Sequence, residues 1–239
     1  MIRLENLTLG FADRRLVESV SATFAVGQLT ALIGRNGSGK STLLRTIASL
    51  DNRSQLGGTI HLGGELLSEI PPEKLATRIA FVTTERIRIA NLRCRDVVAL
   101  GRAPYTNWLG RMQEEDRLIC DRALEAVGMA SFADRTMDTM SDGESQRVMI
   151  ARALAQQTPI ILLDEPTSFL DLPSRYELGR LLQRLAHEEQ KCILFSTHEL
   201  EIARTMCDAI ALVESPHLHH LPTEKMIRSG HIERCFNLE

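Results

Sequence analysis

The chain reads as an α/β protein organised on a largely parallel sheet, and three observations predict this. Short apolar runs, Leu29–Ile33, Ile160–Leu163 and Cys192–Phe195, alternate with segments of helical spacing, as strands buried on both faces between helices do. The first run leads into the glycine-rich stretch Gly34-Arg35-Asn36-Gly37-Ser38-Gly39-Lys40-Ser41 and then into the helical segment Thr42–Ala48. The second run ends in two acids, Asp164 and Glu165.

The glycine-rich stretch has the form G-x-x-x-x-G-K-S in the strand–loop–helix setting that this phosphate loop requires. Its glycines let successive backbone N–H groups converge on phosphate oxygens, and the following helix adds its N-terminal partial charge. Lys40 is then placed to reach the β- and γ-phosphates, and Ser41 to offer its hydroxyl to Mg²⁺. A turn that binds nothing would not need the lysine and serine. The expected ligand is a nucleotide.

The bulk properties set the frame. At 239 residues the chain is long enough for one generous domain. A net charge of −3 makes no electrostatic case for nucleic acid, and no such partner is expected. The five cysteines are scattered without a C-x-x-C pair, as in a reducing compartment. The N-terminus lacks a signal-peptide core, and no apolar run approaches the ~20 residues that span a bilayer. Work at a membrane would require docking onto an embedded partner.

Taken in order, residues 2–9 and 17–24 alternate as two strands around a turn at Asp13-Arg14-Arg15. Phe11 lies beside that turn, either packed or exposed to stack on a base. Residues 57–64 read as a strand between glycine turns, Pro71–Arg78 as a short helix, and Ile79–Val82 as a buried strand. Helical spacing then dominates an insert from about residue 86 to about 157. Within it, Ser141 and Glu144 form a capping box before the helix that continues through Ala155. Asp164 and Glu165 follow the next strand. In a phosphate-loop protein the first suits the Mg²⁺ shell, and the second can polarise a water for attack on the γ-phosphate. A helix opens at Pro173, His198 ends the following strand, and Asp208–Val213 is read as the last strand. His217, His219 and His220 offer metal ligands, but a turn leading into helix 223–229 is the simpler reading.

The order of these segments resembles the ATP-binding subunit of an ABC transporter, over essentially the whole chain. The resemblance rests on the phosphate loop, the helical insert, the signature Ser141-Asp142-Gly143-Glu144, the pair Asp164-Glu165, Ser168-Phe169-Leu170-Asp171 and His198. It implies the ABC-ATPase form of the phosphate-loop fold, with an N-terminal antiparallel β subdomain, a mostly parallel core sheet and an inserted helical subdomain. It also implies one ATP-binding domain over 1–239. The nucleotide-binding residues would be Phe11, Gly34, Asn36, Gly37, Ser38, Gly39, Lys40, Ser41 and Thr42 of one copy. Ser141, Gly143 and Glu144 would face them from a second, head-to-tail copy, and Asp171 would couple the two sites. Glu165 and His198 would be catalytic, and Ser41, Asp164 and Glu85 would serve the Mg²⁺.

Two positions depart from the family pattern. The signature, usually Leu-Ser-Gly-Gly-Gln, reads Met140-Ser141-Asp142-Gly143-Glu144 here. The glutamine expected after strand 79–83 is replaced at Thr84-Glu85, where Glu85 brings a carboxylate.

Gly101-Arg102-Ala103-Pro104-Tyr105 is similar to a segment of importers for iron–siderophore, haem and cobalamin, where the insert meets the permease. The implied protein is the ATPase subunit of such an importer. It would sit peripherally on the cytoplasmic face of a bacterial or archaeal inner membrane, with permease subunits and, indirectly, a periplasmic or surface substrate-binding protein. The competing expectations are a soluble ABC-type ATPase not coupled to transport and a nucleotide sensor that does not hydrolyse.

Overall fold

A computed structural model of the chain describes residues 1–11, 14–83, 91–106 and 111–238. Glu85, Thr84 and Asp13 lie outside the described residues.

Strands β1 (Ile2–Phe11) and β2 (Arg14–Phe24) pair antiparallel, so Arg14 and Arg15 belong to β2 rather than to the turn expected there. β3 (Gln28–Gly34) delivers the phosphate loop to helix α1 (Lys40–Ile47). β4 (Gln55–Leu62) and β5 (Glu65–Leu66) complete a four-stranded sheet in the order β2-β1-β4-β5. The short α2 (Pro72–Leu75) starts with proline, as expected, and precedes β6 (Ile79–Val82).

The helical region contains α3 (Cys94–Ala99), a 3₁₀ segment Leu100–Tyr105, α4 (Glu114–Ala126) and α5 (Asp142–Ala155). Then follow β7 (Ile160–Leu163), α6 (Leu172–His187), β8 (Cys192–Ser196), α7 (Leu200–Met206) and β9 (Ala209–Glu214). β9 is not the last strand. His217–Pro222 forms β10, antiparallel to β9, where a turn was expected. Two short helices, α8 (Thr223–Arg228) and α9 (His231–Phe236), close the chain.

The larger sheet runs β10-β9-β3-β8-β7-β6 and is parallel except for β10. Its inner strands β3, β7 and β8 read as largely apolar runs because both faces are covered. Leu29, Ala31 and Ile33 of β3, with Ile161, Leu163, Ile193 and Phe195, face the core shared with the insert and the C-terminal helices. Leu32, Ile160, Leu162 and Leu194 face α1 and the antiparallel sheet. β3 sits inside the sheet, so the loop after it is anchored on both sides.

The Gly101–Tyr105 segment is first of all a structural lock. A Cβ on Gly101 would lie 2.3 Å from the Arg152 carbonyl oxygen, so only glycine lets the segment approach α5 this closely. Arg102 is buried and donates to Asp116 Oδ1 at 2.9 Å, to the Ala155 carbonyl at 2.9 Å and to Gln157 Oε1 at 3.0 Å. It thereby places a cation at the C-terminal end of α5, where the helix dipole favours one. Its guanidinium also lies 4.2 Å from the Tyr105 ring centre, and Tyr105 donates to the Gln156 carbonyl. Leu100 and Tyr105 are left exposed beside this lock.

Arg102→Ala strands the buried Asp116 carboxylate without its cation and should cost about 3–5 kcal/mol in urea-unfolding stability. All five cysteines are free and buried. Burial pushes their thiols up, those of Cys120 and Cys192 to about 11. A raised thiol stays protonated at neutral pH, so a thiol-specific reagent should label none of the five in the native protein and all five after unfolding.

Candidate active site

The phosphate loop hangs between β3 and α1. Gly39, the N-cap of α1, has φ +105°, and a Cβ there would lie 3.0 Å from Leu16 Cβ. A side chain at this position would be strained and crowded at once. Arg35, Asn36 and Gly37 are exposed, with Gly37 tied to β2 where Arg14 donates to its carbonyl at 2.9 Å. Ser38 and Lys40 are buried, whereas Ser41 and Thr42 are half-buried. Lys40 Nζ donates to the Gly34 and Arg35 carbonyls at 3.0 and 3.2 Å, folding its cation back across the loop. Burial lowers its ammonium pKa, opposed by Glu165 and then Asp164.

The parallel register aligns the C-terminal ends of β3, β7 and β8. There Asp164 is buried and accepts from Ser41 Oγ at 2.9 Å and Ser196 Oγ at 2.7 Å. Ser196 also accepts the Glu165 backbone N–H at 2.8 Å, so one hydroxyl orients both acids. Glu165 is held at φ +47°, a left-handed conformation that costs a non-glycine residue about 1–3 kcal/mol and gathers at functional sites. Its carboxylate meets His198 Nε2 at 2.6 Å and accepts from Ser168 Oγ at 3.2 Å. The structure therefore brings Ser41, Asp164, Glu165 and His198 together around the phosphate loop. Phe11, at the end of β1, is 54% exposed, as base stacking requires.

The signature lies elsewhere. Ser141 caps α5 by accepting the Glu144 N–H at 3.2 Å, and Glu144 accepts the Ser141 N–H at 2.8 Å, closing the expected capping box. That backbone bond holds the Glu144 carboxyl below its usual range. Gly143 packs under the 168–171 loop, since a Cβ on it would lie 3.1 Å from the Phe169 carbonyl oxygen. Asp171 caps α6 by accepting the Ser174 N–H at 3.1 Å, and its pKa is lowered by its hydrogen bonds to Ser174. Ser141, Gly143 and Asp171 line one surface hollow, which includes no phosphate-loop residue.

Several supporting residues carry no sequence signal of their own. Ser196 reads simply as the end of an apolar strand. Arg175 donates to the Leu170 carbonyl at 2.8 Å and pairs with Glu199, linking the 168–171 loop to the residue after His198.

A family model described as ABC transporter matches residues 17–168, well over half of the chain. The chain belongs to the ABC transporter family. It is 40% identical, over all of its own length and 79% of the relative's, to an uncharacterised ABC transporter ATP-binding protein of Methanocaldococcus jannaschii. It is 34% identical to the ferric enterobactin transport ATP-binding protein FepC of Escherichia coli, covering 99% of this chain and 87% of that one. A dimeric bacterial ABC transporter cassette superimposes with a TM-score of 0.82 at 27% identity, over 93% of this chain and 99% of the other. As an ABC ATPase, the protein binds and hydrolyses ATP, and cassettes of this fold form dimers.

Ser196→Ala would leave both acids without their shared partner. The variant should retain ATP binding but lose roughly 10–100-fold in turnover, read as phosphate release.

Proposed function

We propose that this ABC cassette is the ATP-hydrolysing subunit of an importer that takes up a metal chelate, of the iron–siderophore, haem or cobalamin class, through a membrane permease. The observation that carries the reading is the convergence of Ser41, Asp164, Glu165 and His198 at aligned strand ends in a chain related along its length to importer ATP-binding proteins. Relatives from Bacillus subtilis and Halobacterium salinarum, a probable siderophore transport ATP-binding protein and a cobalamin import ATP-binding protein, point to the same cargo class.

In this reading two copies join head to tail. Lys40, Ser41, Thr42 and the loop residues Gly34, Asn36, Gly37, Ser38 and Gly39 of one copy cradle the phosphates, and Phe11 stacks on adenine. Ser141, Gly143 and Glu144 of the other copy close the site. The separation of the signature hollow from the phosphate loop within one copy supports this arrangement, because a single chain cannot supply both halves. Asp171, at the lip of that hollow, links one site to the other.

The donor set suits Mg²⁺. A serine hydroxyl and a buried carboxylate, already in contact, are the hard oxygen ligands it prefers. Ser41 and Asp164 would hold the ion, with Glu85 a further candidate ligand. Mg²⁺ would neutralise charge on the β- and γ-phosphates. Glu165 orients and deprotonates the attacking water, and His198 leaves Glu165 to contact the γ-phosphate.

The helices α3, α4 and α5 act as the helical insert. Exposed Leu100 and Tyr105 belong to the face offered to the permease. No helix among the described residues is long and apolar enough to cross a membrane, consistent with peripheral attachment at the cytoplasmic face. A substrate-binding protein would act on the far side of the permease.

Glu165→Gln should keep ATP binding and lose at least ~100-fold in turnover, the usual scale of base catalysis. Normal hydrolysis by that variant would remove Glu165 from the mechanism. A tagged pull-down from detergent-solubilised native membranes should recover a polytopic permease. Recovery of soluble partners alone would favour an ABC ATPase uncoupled from transport.

A further inference from the structure

The β9–β10 ladder pairs Leu212 with His219 and Glu214 with His217. Strand alternation therefore puts Glu214, His217 and His219 on one face and His220 on the other. His220 is occupied by packing, its ring centre 4.8 Å from that of Phe24. On the first face, helix α9 brings His231 over His219, with ring centres 4.0 Å apart and planes inclined by 23°. His219 Nε2 lies 3.4 Å from Glu214 Oε2. One potential ligand atom from each of Glu214, His219 and His231 lies within 4.8 Å of the other two. Nothing in ATP binding or hydrolysis uses these three residues.

We propose that Glu214, His219 and His231 form a binding site for a first-row divalent cation of the Zn²⁺, Co²⁺ or Ni²⁺ kind. Two imidazoles and one carboxylate suit these ions, whereas Mg²⁺ and Ca²⁺ prefer oxygen ligands. Three protein ligands leave a position for water, as in open zinc sites. The trio draws on two strands and a helix, so each ligand is carried by a separate element.

Arg234 donates to His231 Nδ1 at 2.8 Å. A cation taking Nδ1 displaces that guanidinium. A cation taking Nε2 moves the ring proton to Nδ1 and displaces it equally, so Arg234 competes with the ion in either case. The site also borders the phosphate loop. Val213 pairs with Gly34, and the Cys235 carbonyl of α9 accepts from Arg35 Nε at 2.5 Å. An ion at this position would pin α9 to the hairpin beside that loop.

The test uses the full-length, untagged protein stripped with chelator, titrated with Zn²⁺ by calorimetry and with Co²⁺ by visible absorption. One ion per chain is expected. His219→Ala and His231→Ala should each weaken binding at least ~10-fold, His217→Ala should not, and Arg234→Ala should strengthen it. Zn²⁺ should slow amide exchange across residues 231–236 in the parent protein and not in the His231 variant. Glu214→Gln, a partly exposed change, provides the same loss of affinity if a histidine variant fails to fold. No ion bound at tenfold excess, or binding that survives both histidine substitutions, would overturn the proposal.

Discussion

One serine hydroxyl holds the candidate site together. Ser196 donates to Asp164 and accepts from the backbone of Glu165, so a single oxygen at the end of β8 sets the directions of both acids at the end of β7. The bond is possible because β7 and β8 are parallel and in register, with Leu163 opposite Phe195. A slip of one residue would turn Asp164 and Ser196 to opposite faces and take from the buried carboxylate the hydroxyl it shares with Glu165. Continuous apolar strands buried on both faces are thus the constraint on which the acidic centre depends.

The same sheet transmits position to the phosphate loop. β3 lies between β8 and β9, paired with β8 as far as Leu32 and with β9 through Gly34 before the chain turns into the loop. Lys40 folds back onto the Gly34 and Arg35 carbonyls, and Ser41 reaches Asp164. Burial lowers the Lys40 ammonium pKa, and Glu165 and Asp164 oppose that shift. Lys40, Ser41, Asp164, Glu165 and Ser196 thus belong to one network of charge and hydrogen bonds.

The helical region follows a different logic. Its anchoring is concentrated where Arg102 binds Asp116 and the C-terminal carbonyls of α5, and Gly101 lets the two segments touch. α5 begins at the signature serine and ends at this lock, so a displacement at one end of the helix is carried rigidly to the other. Arg175 and Glu199 link the 168–171 loop to the His198 strand end in a similar way. These ties place the 168–171 loop against both α5 and the candidate site.

The sequence by itself determined the fold class, the phosphate loop, the capping box at Ser141 and the acids after Ile160–Leu163. Each is a local pattern whose spacing and residue type carry the physics. It could not distinguish a turn from a strand at His217–Pro222, because pairing with β9, not local propensity, makes β10. Nor could it reveal Ser196, Arg175 or the meeting of Glu214, His219 and His231. Those depend on residues brought together across the fold, and only the packing of strand register against helix position decides such distances.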